Sequence, residues 1–301
     1  MQTDRDPLQI QDSDARRFEK EIHAMVPELN RPFKLENARL DHSVLKTTFE
    51  EFLILYPVEA RYRQGYVESE TLVSIPNLFV KVFTDAAGKA RLLQQLAADD
   101  AVGLLKTGFN SPLYQRCYGE ACDLSRYYQE GVLDCEGLKS DPAYGLAALK
   151  TSYQNLWLGK LEHLLNHRTE LFTEAFTLTS GEIIETVVRL RPAVIEMYNW
   201  FDFQGPLPKL LADDSSRPYD AREAMRASLI LLFLVLCDVD VVVLNDSQGA
   251  TFENYIREDS FSRFYPQSSP VQAARPPIGW LLAAGAVVLL AVLGLILKII
   301  F

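Results

Sequence analysis

Residues 278–297 read IGWLLAAGAVVLLAVLGLIL and contain no charged or strongly polar side chain. A helix of about 20 residues rises about 30 Å, which is the thickness of the hydrocarbon core of a bilayer. Trp280 suits the near interface, and Lys298 can extend its ammonium group to the far one. The pattern therefore predicts a single transmembrane helix, and with the residues that follow it we expect a tail anchor over residues 278–301.

The other end of the chain predicts the orientation. Residues 1–14 (MQTDRDPLQIQDSD) contain no apolar run that could act as a signal sequence. The domain before the anchor is therefore expected on the cytosolic side, in a single-pass membrane protein. A strongly apolar anchor with one terminal lysine favours a bacterial inner membrane or an ER-type membrane. The expected partners are the membrane itself and other proteins that act at it.

Charge and cysteine content exclude some functions. The chain has 40 acidic and 30 basic residues and a formal net charge of −10. Nucleic-acid binding needs clustered lysine and arginine, so it is not expected. The four cysteines include no C-x-x-C pair, which fits free thiols in a reducing compartment. A zinc site made by three cysteines and a histidine is the less favoured alternative, and we predict no metal. The four residues would be Cys117, Cys122, Cys135 and His163.

Hydrophobic periodicity and turn residues divide the chain into five predicted regions, of which the anchor is the last. They are a polar segment with a short helix (1–40), a small lobe (41–119), a helical large lobe (120–245), a linker (246–277) and the anchor (278–301). Within the small lobe we expect a helix capped by Asp41, then antiparallel strands, a helix and two more strands. The strands are predicted over residues 60–67, 71–75, 78–83, 102–106 and 113–117, with the helix over residues 86–98.

The large lobe is predicted to be mostly helical, with helices over residues 123–128 and 143–166 and a hairpin over residues 176–188. Its most apolar run, residues 227–236, is followed closely by Asp238 and Asp240. Each of these charges would cost about 2.5–3.5 kcal/mol at a bilayer centre. We therefore expect a buried central helix that leads into a short apolar segment over residues 239–244, and not a second membrane span.

Several stretches, in this order, resemble the protein-kinase-like superfamily. Residues 78–83 (LFVKVF) resemble the strand that carries the ATP-binding lysine, here Lys81. Residues 113–120 (LYQRCYGE) resemble the last small-lobe strand and the hinge. The tripeptide at 167–169 (HRT) stands where the family has H-R-D, and residues 177–184 resemble the hairpin before D-F-G. The similarity covers about residues 56–240 and is to the small bacterial lipopolysaccharide-kinase-like proteins.

The resemblance implies an α+β fold with a small antiparallel-sheet lobe and a helical lobe. It also implies a remnant nucleotide cleft, made by Lys81, Arg116, Cys117, Tyr118 and Gly119. Kinases need carboxylates for the substrate and the metal ions. The corresponding positions here are Thr169, Glu174 and Thr186.

Threonine cannot accept a proton as a carboxylate does, so the resemblance implies that phosphotransfer is lost. We therefore expect no resident cofactor and at most weak ATP binding. The predicted function is that of a pseudokinase, a scaffold or regulator held at a membrane.

Three alternatives remain open at this point. The first is an atypical active kinase for a membrane-proximal sugar or lipid, with Glu174 or Glu185 holding the metal. The second is a helical membrane-anchored adaptor subunit of a larger complex. The third is a degenerate GTPase-like domain, since Gly103 and Gly108 have the spacing of a phosphate-binding loop but are followed by residues 109–111 (FNS) instead of Lys-Ser/Thr.

Overall fold

The computed structural model describes residues 39–69, 71–97, 104–108, 113–115, 123–213, 220–245 and 252–266. The chain divides after Tyr265, and nearly all of these residues belong to the first unit, Met1–Tyr265. The predicted anchor with Trp280 and Lys298 lies outside the described residues, as do the predicted hinge residues 116–119. Among the helices that the structure describes, none is long and apolar enough to cross a membrane.

The described residues form ten strands, numbered here in chain order. They are β1 (Arg39–Val44), β2 (Val67–Glu68), β3 (Leu72–Asn77), β4 (Phe79–Phe83), β5 (Leu104–Gly108), β6 (Tyr128–Gln129), β7 (Val132–Leu133), β8 (Lys209–Asp213), β9 (Asp240–Asn245) and β10 (Ser262–Phe264). Five of them form the main sheet in the order β10-β4-β9-β8-β5. Every neighbouring pair in this sheet is parallel.

Two smaller sheets accompany the main one. The first has the order β1-β3-β2, in which β1 and β3 are parallel and β2 and β3 are antiparallel. The second is the short antiparallel pair of β6 and β7. Since the first small sheet ends with β3, one residue before β4, the chain passes directly from it into the main sheet.

Eight helices lie in the described part of the chain. They are α1 (Phe49–Leu55), α2 (Ala86–Ala97), α3 (Cys135–Lys139), α4 (Thr151–Asn166), α5 (Arg168–Leu171), α6 (Ser180–Val188), α7 (Pro192–Asn199) and α8 (Ala221–Leu236). Helix α8 begins after Asp220, whose carboxylate accepts a hydrogen bond from the backbone of Arg222. Its side chains are buried almost all round, as in the central helix of a large core.

Helices cover both faces of the main sheet. Successive side chains of a strand point to opposite faces. On one face, Val80, Val82 and Val242 pack with Leu92 and Leu96 of α2 and with residues of α1. On the other face, the alternate residues of β4 and β9 belong to the larger core that includes α4 and α8. The main sheet is therefore the middle layer of an α/β sandwich.

The mixed α/β composition is confirmed, but the antiparallel sheet predicted for the small lobe is wrong. Residues 78–83 do contain a strand, yet β4 pairs in parallel with β9 and β10. Its first four residues are buried, which suits the interior of a parallel sheet covered on both faces. Strands from both sides of the predicted boundary at residue 119 share this sheet. The boundary therefore does not separate a sheet lobe from a helical lobe.

The helix predicted to begin at Asp41 is also wrong. Residues 39–44 form β1 because they pair with β3 along their whole length. The helix begins only at Phe49, after Thr48, whose hydroxyl accepts a hydrogen bond from the backbone N–H of Glu51. The carboxylate of Glu51 accepts a bond from the backbone of Thr48 in return, which completes a capping box.

A second capping box explains why the predicted hairpin over residues 176–188 is wrong. Thr179 and Glu182 cap each other in the same reciprocal way, and helix α6 follows. The strand predicted over residues 60–67 is replaced by a single 3₁₀ turn, Ala60–Tyr62, followed by the short β2. The predicted helix over residues 123–128 contains one 3₁₀ turn, Ser125–Tyr127.

Other predicted elements are confirmed. The helix over residues 86–98 corresponds to α2, and the apolar run over residues 227–236 lies in α8. The apolar segment over residues 239–244 becomes β9, which is buried along its whole length. The linker predicted over residues 246–277, by contrast, is wrong in its first part, because Phe252 and Phe261 are buried in the core and β10 joins the main sheet.

Candidate functional site

The described segments that follow β4 and β9 in the chain lie on opposite faces of the main sheet. After β4, helix α2 packs Leu92 and Leu96 on one face. After β9, the chain packs Phe252 and Phe261 against Phe79 on the other, with ring centroids 5.5 Å from that of Phe79 in both cases. In open parallel sheets, ligands bind outside the carboxyl ends of two neighbouring strands whose following segments lie on opposite faces of the sheet. The topology therefore points to the carboxyl ends of β4 and β9, called here the carboxyl edge.

Polar side chains collect at the carboxyl edge. Directly after β4, the backbone N–H of Thr84 donates to the carbonyl of Asn245, the last residue of β9 (3.0 Å). On the neighbouring strand β8, the last residue is Asp213, and its Oδ1 lies 3.2 Å from the Nζ of Lys89. The Lys89 side chain is 12% exposed and that of Asp213 is 34% exposed. This ion pair is therefore open to solvent on its carboxylate side.

The start of α2 brings Lys89 to this position. The Asp85 carboxylate accepts a hydrogen bond from the backbone N–H of Gly88 (2.6 Å), which caps the helix. A Cβ atom at Gly88 would lie only 2.1 Å from the Thr84 hydroxyl oxygen. Glycine is therefore the residue that fits here without moving Thr84, and the close approach holds the first turn of α2 against the end of β4.

The opposite edge of the same sheet, called here the amino edge, has a different character. Asp240, the first residue of β9, accepts two hydrogen bonds from the guanidinium of Arg63 (2.8 and 2.5 Å). The same carboxylate accepts a third from the backbone of Leu78 (2.8 Å). Arg63 also donates to the carbonyls of Leu55 and Pro76. Both charged side chains are fully buried, so this pair belongs to the core.

Lys81, predicted to be a remnant nucleotide contact, is fully buried within β4. Its ammonium forms an ion pair with Glu253, and it lies 4.8 and 4.9 Å from the ring centroids of Phe83 and Phe252. It shares its face of the sheet with Phe79, the face opposite to α2. The contacts indicate a structural role, in which Lys81 stabilises the packing of the segment after β9 against the sheet.

The predicted catalytic positions are placed as follows. Thr169 and Glu174 are exposed, the first in α5 and the second just after it. Thr186 is buried in α6, and its hydroxyl donates to the carbonyl of Glu182 in the same helix (2.7 Å). The contacts of Lys81 given above involve none of these three residues. Arg116, Cys117, Tyr118 and Gly119 lie outside the described residues.

The carboxyl edge has some features of a phosphate-binding loop and lacks others. Gly88 and Lys89 begin a helix after a buried strand, where that loop has its Gly-Lys pair. The motif also needs a glycine five residues earlier and a hydroxyl after the lysine, but Phe83 and Ala90 stand there. In addition, the carboxylate of Asp85 already binds the Gly88 amide. The edge therefore suits a polar ligand held by one ammonium and one carboxylate more than a cradled triphosphate.

No protein-family model, curated protein or solved structure matches this chain. The structural class follows from the geometry itself. The described residues form an α/β domain whose central sheet is parallel and five-stranded, with a buried ion pair at its amino edge. The carboxyl edge of the same sheet carries a partly exposed ion pair.

Lys89, Asp213 and Asn245 did not emerge as site residues from the sequence, although each has a local signal. A Gly-Lys pair follows the predicted strand over residues 78–83. Asp213 and Asn245 each end an apolar run, as polar residues at the end of a buried strand do. The signals combine into a site only when the strands are known to be parallel, because only then do these ends meet at one edge.

Proposed function

We propose that the protein is a membrane-anchored binding protein that acts as a regulator or scaffold, and that its α/β domain recognises a small polar ligand at the carboxyl edge. The observation that carries the proposal is the Lys89–Asp213 ion pair at the point where the connections of β4 and β9 diverge. A ligand with both an anionic and a donor group can replace each member of this pair.

Binding without turnover is the form of function that the residues support. The phosphate-loop features at Gly88 and Lys89 lack the partner glycine and hydroxyl. The groups at the carboxyl edge can orient a ligand through charge and hydrogen bonds, which is sufficient for a ligand-controlled regulator.

The membrane component of the proposal rests on the apolar run over residues 278–297. Confining a binding domain to a membrane raises the effective concentration of partners that are also held there. The ligand would then modulate an encounter that the anchor makes frequent. On this proposal, protein partners at the same membrane are expected.

The kinase-like interpretation receives no support from the described fold. A kinase-like small lobe requires antiparallel strands around the ATP-binding lysine, whereas β4 is parallel to both of its neighbours. The ion pair with Glu253 uses the ammonium of Lys81 within the core. The carboxyl edge is therefore the preferred place to look for ligand binding.

The test uses full-length protein in detergent, and the probes are ADP, ATP and inorganic phosphate, each with Mg²⁺. We expect at least one probe to raise the melting temperature of the wild type and to leave that of Lys89→Met unchanged. Lys139→Met is the matched control, since it breaks an ion pair with Glu136 on the surface of α3. Equal responses from Lys89→Met and the wild type would contradict the proposed site, and hydrolysis of ATP by the wild type would contradict a binding-only role.

The anchor is tested separately by alkaline washing of membranes. The full-length chain is expected to stay with the membrane pellet, and a chain truncated after residue 269 is expected to be released. Release of the full-length chain would contradict the membrane anchor without bearing on the ligand site.

A further inference from the structure

A buried carboxylate, that of Asp238, lies at the turn between α8 and β9. Asp238 is fully buried, and neither of its carboxylate oxygens has a hydrogen-bond partner among the described residues. Its backbone adopts φ +65°, a left-handed conformation that aspartate and asparagine tolerate better than most residues. Two residues later, Asp240 is equally buried but fully hydrogen-bonded. The contrast requires an explanation, because an isolated buried carboxylate is costly.

Other buried polar atoms in this part of the core also lack hydrogen bonds of good geometry among the described residues. They are the hydroxyl of Tyr198, the indole nitrogen of Trp157 and the side-chain oxygen of Asn77. The amide nitrogen of Asn77 donates to the carbonyls of two residues that flank Asp238, namely Val235 (2.7 Å) and Val239 (3.3 Å).

Tyr198 connects Trp157 to the same region. The rings of Trp157 and Tyr198 have centroids 5.0 Å apart. Trp157 also packs against Phe233 of α8, the helix that ends before Asp238, with ring centroids 5.5 Å apart. The pKa of Tyr198 is raised by burial first and by Cys237 and Asp238 next, whereas the neighbouring indole of Trp157 lowers it. The unpartnered atoms of Asn77, Trp157, Tyr198 and Asp238 therefore belong to one region of the interior.

An ammonium group with unused hydrogens lies near the same region. Lys160 of α4 is almost fully buried and donates one hydrogen bond, to the carbonyl of Leu40 (3.1 Å). An ammonium group has three hydrogens, so two are without an acceptor in the part of the chain that the structure describes. Lys160 is close enough to Asp238 to lower the pKa of its carboxyl group, although burial has the larger and opposite effect.

Donors and acceptors thus lie in one region of the interior, and the carboxylate of Asp238 makes no hydrogen bond to any of them. Lys160, Tyr198 and Trp157 supply hydrogens, and Asp238 and Asn77 supply oxygens. A small molecule that both donates and accepts hydrogen bonds can satisfy all of them, and buried water does this in most globular proteins. We propose that the interior around Asp238 is a binding site for ordered water, which joins the carboxylate of Asp238 to the ammonium of Lys160 and to the hydroxyl of Tyr198.

The carboxyl group of Asp238 is also expected to bind a proton within the folded protein. Burial raises the pKa of Asp238 from 3.8 to about 7, with Lys160 opposing and Asp41 reinforcing the shift. A carboxyl group whose pKa is higher in the folded protein favours folding while it is protonated. Its contribution to stability is therefore complete below pH 3.8 and falls as the pH rises from about 4 to about 7.

Neighbouring histidines titrate in part of the same range. Burial lowers the pKa of His42 from 6.5 to about 4; Lys160 and His163 add to the lowering, and Asp41 opposes it. Burial also lowers the pKa of His163. A lowered histidine pKa makes stability rise with pH through this range, which opposes the effect of Asp238. The remaining titratable neighbour, Cys237, has a pKa raised well above its usual value by burial and stays protonated.

The first experiment detects the water directly. In the full-length protein in detergent micelles, the indole proton of Trp157, assigned with Trp157→Phe, is examined for nuclear Overhauser contacts to water. We expect contacts of the sign typical of long-lived bound water, and a crystal structure with water on Asp238 would show the same. A Trp157 indole proton without such contacts, or a direct contact between Asp238 and Lys160 with no water between them, would overturn the proposal.

The second experiment measures how much of the pH dependence of stability is due to the carboxyl group of Asp238. Asp238→Asn keeps the size of the side chain and tolerates the left-handed backbone, but it does not titrate. The difference in melting temperature between the variant and the wild type is measured from pH 4 to pH 8, which cancels the histidine contribution. We expect the melting temperature of the variant to rise relative to that of the wild type as the pH increases through this range. The difference between the two should become constant above pH 7. A difference that does not change with pH would show that Asp238 does not bind a proton there.

Discussion

The two edges of the main sheet carry ion pairs of opposite character. At the amino edge, the Arg63–Asp240 pair is fully buried, bidentate and supported by further backbone hydrogen bonds. At the carboxyl edge, the Nζ of Lys89 lies 3.2 Å from the Oδ1 of Asp213, and the Asp213 side chain is about one third exposed. The same strand, β9, begins at the first edge and ends at the second.

The difference separates stability from function within one sheet. A buried pair whose hydrogen-bonding groups are all used cannot exchange partners without a large loss of free energy. A partly exposed pair contributes little to stability, and water or a ligand can replace either partner at low cost. The comparison therefore assigns a role in folding to the amino edge and leaves the carboxyl edge as the place for the proposed ligand binding.

The largest effect on stability is expected from Asp240→Ala. The substitution leaves the guanidinium of Arg63 buried without its carboxylate, which costs about 3–5 kcal/mol of the free energy of unfolding. Urea denaturation measures the loss. The double variant Asp240→Leu with Arg63→Met is expected to recover part of it, because neither charge remains buried. A loss below about 1 kcal/mol for Asp240→Ala would remove the contrast between the edges.

The next largest effect is expected from Lys81→Met. Glu253, which is about 10% exposed on its side chain, then loses its ammonium partner in the core. We expect a loss of about 2–3 kcal/mol, slightly less than for a fully buried pair. Binding of the nucleotide probes should be unchanged. Loss of nucleotide binding with unchanged stability would instead support Lys81 as a nucleotide contact.

A smaller effect is expected from Gly88→Ala, which tests the geometry of the carboxyl edge. The new methyl group would meet the Thr84 hydroxyl, and the cost of overpacking exceeds the gain in helix propensity, for a net loss of about 1 kcal/mol. Gly159→Ala is the matched control, since a Cβ atom there meets nothing within 4 Å. The control should be neutral or stabilising in the same thermal denaturation. Equal results for the two variants would mean that Gly88 does not hold α2 against Thr84.

The smallest effect on stability is expected from Asp213→Asn. The pair with Lys89 is partly exposed, so its removal should cost about 0.5 kcal/mol or less in urea denaturation. Ligand binding should nevertheless change, because the carboxylate no longer competes for Lys89. A loss of stability as large as that of Asp240→Ala would show that the carboxyl edge, too, is a structural element.

Sequence patterns predicted the elements whose signals are local. The apolar runs that become α8 and β9 are continuous in sequence, and α2 has its leucines on one face. The hairpin predicted over residues 176–188 was wrong although a local signal was present, since Thr179 and Glu182 have the spacing of a capping box. β1 was mistaken for a helix because its partner, β3, lies more than 30 residues away in sequence.

The candidate site depends on long-range pairing and could not be predicted in the same way. Lys89 and Asp213 are 124 residues apart, and their contact follows from the strand order of the main sheet. That order places β9 between β4 and β8, with all three strands parallel. Lys81 has a local signal in the sequence, since residues 78–83 resemble the kinase strand that carries the ATP-binding lysine. The lysine that reaches the carboxyl edge is eight residues further on, within the first turns of α2.

Hydrogen–deuterium exchange of the full-length protein, with and without the Mg²⁺-bound probes, tests the comparison of the two edges most directly. A probe that stabilises the protein should slow exchange in peptides that cover residues 83–90 and 240–245, and the slowing should disappear in Lys89→Met. Peptides that cover residues 60–66, around Arg63, should exchange equally slowly in both states. Slowing confined to residues 60–66, or slowing at residues 83–90 that persists in Lys89→Met, would contradict ligand binding at the carboxyl edge.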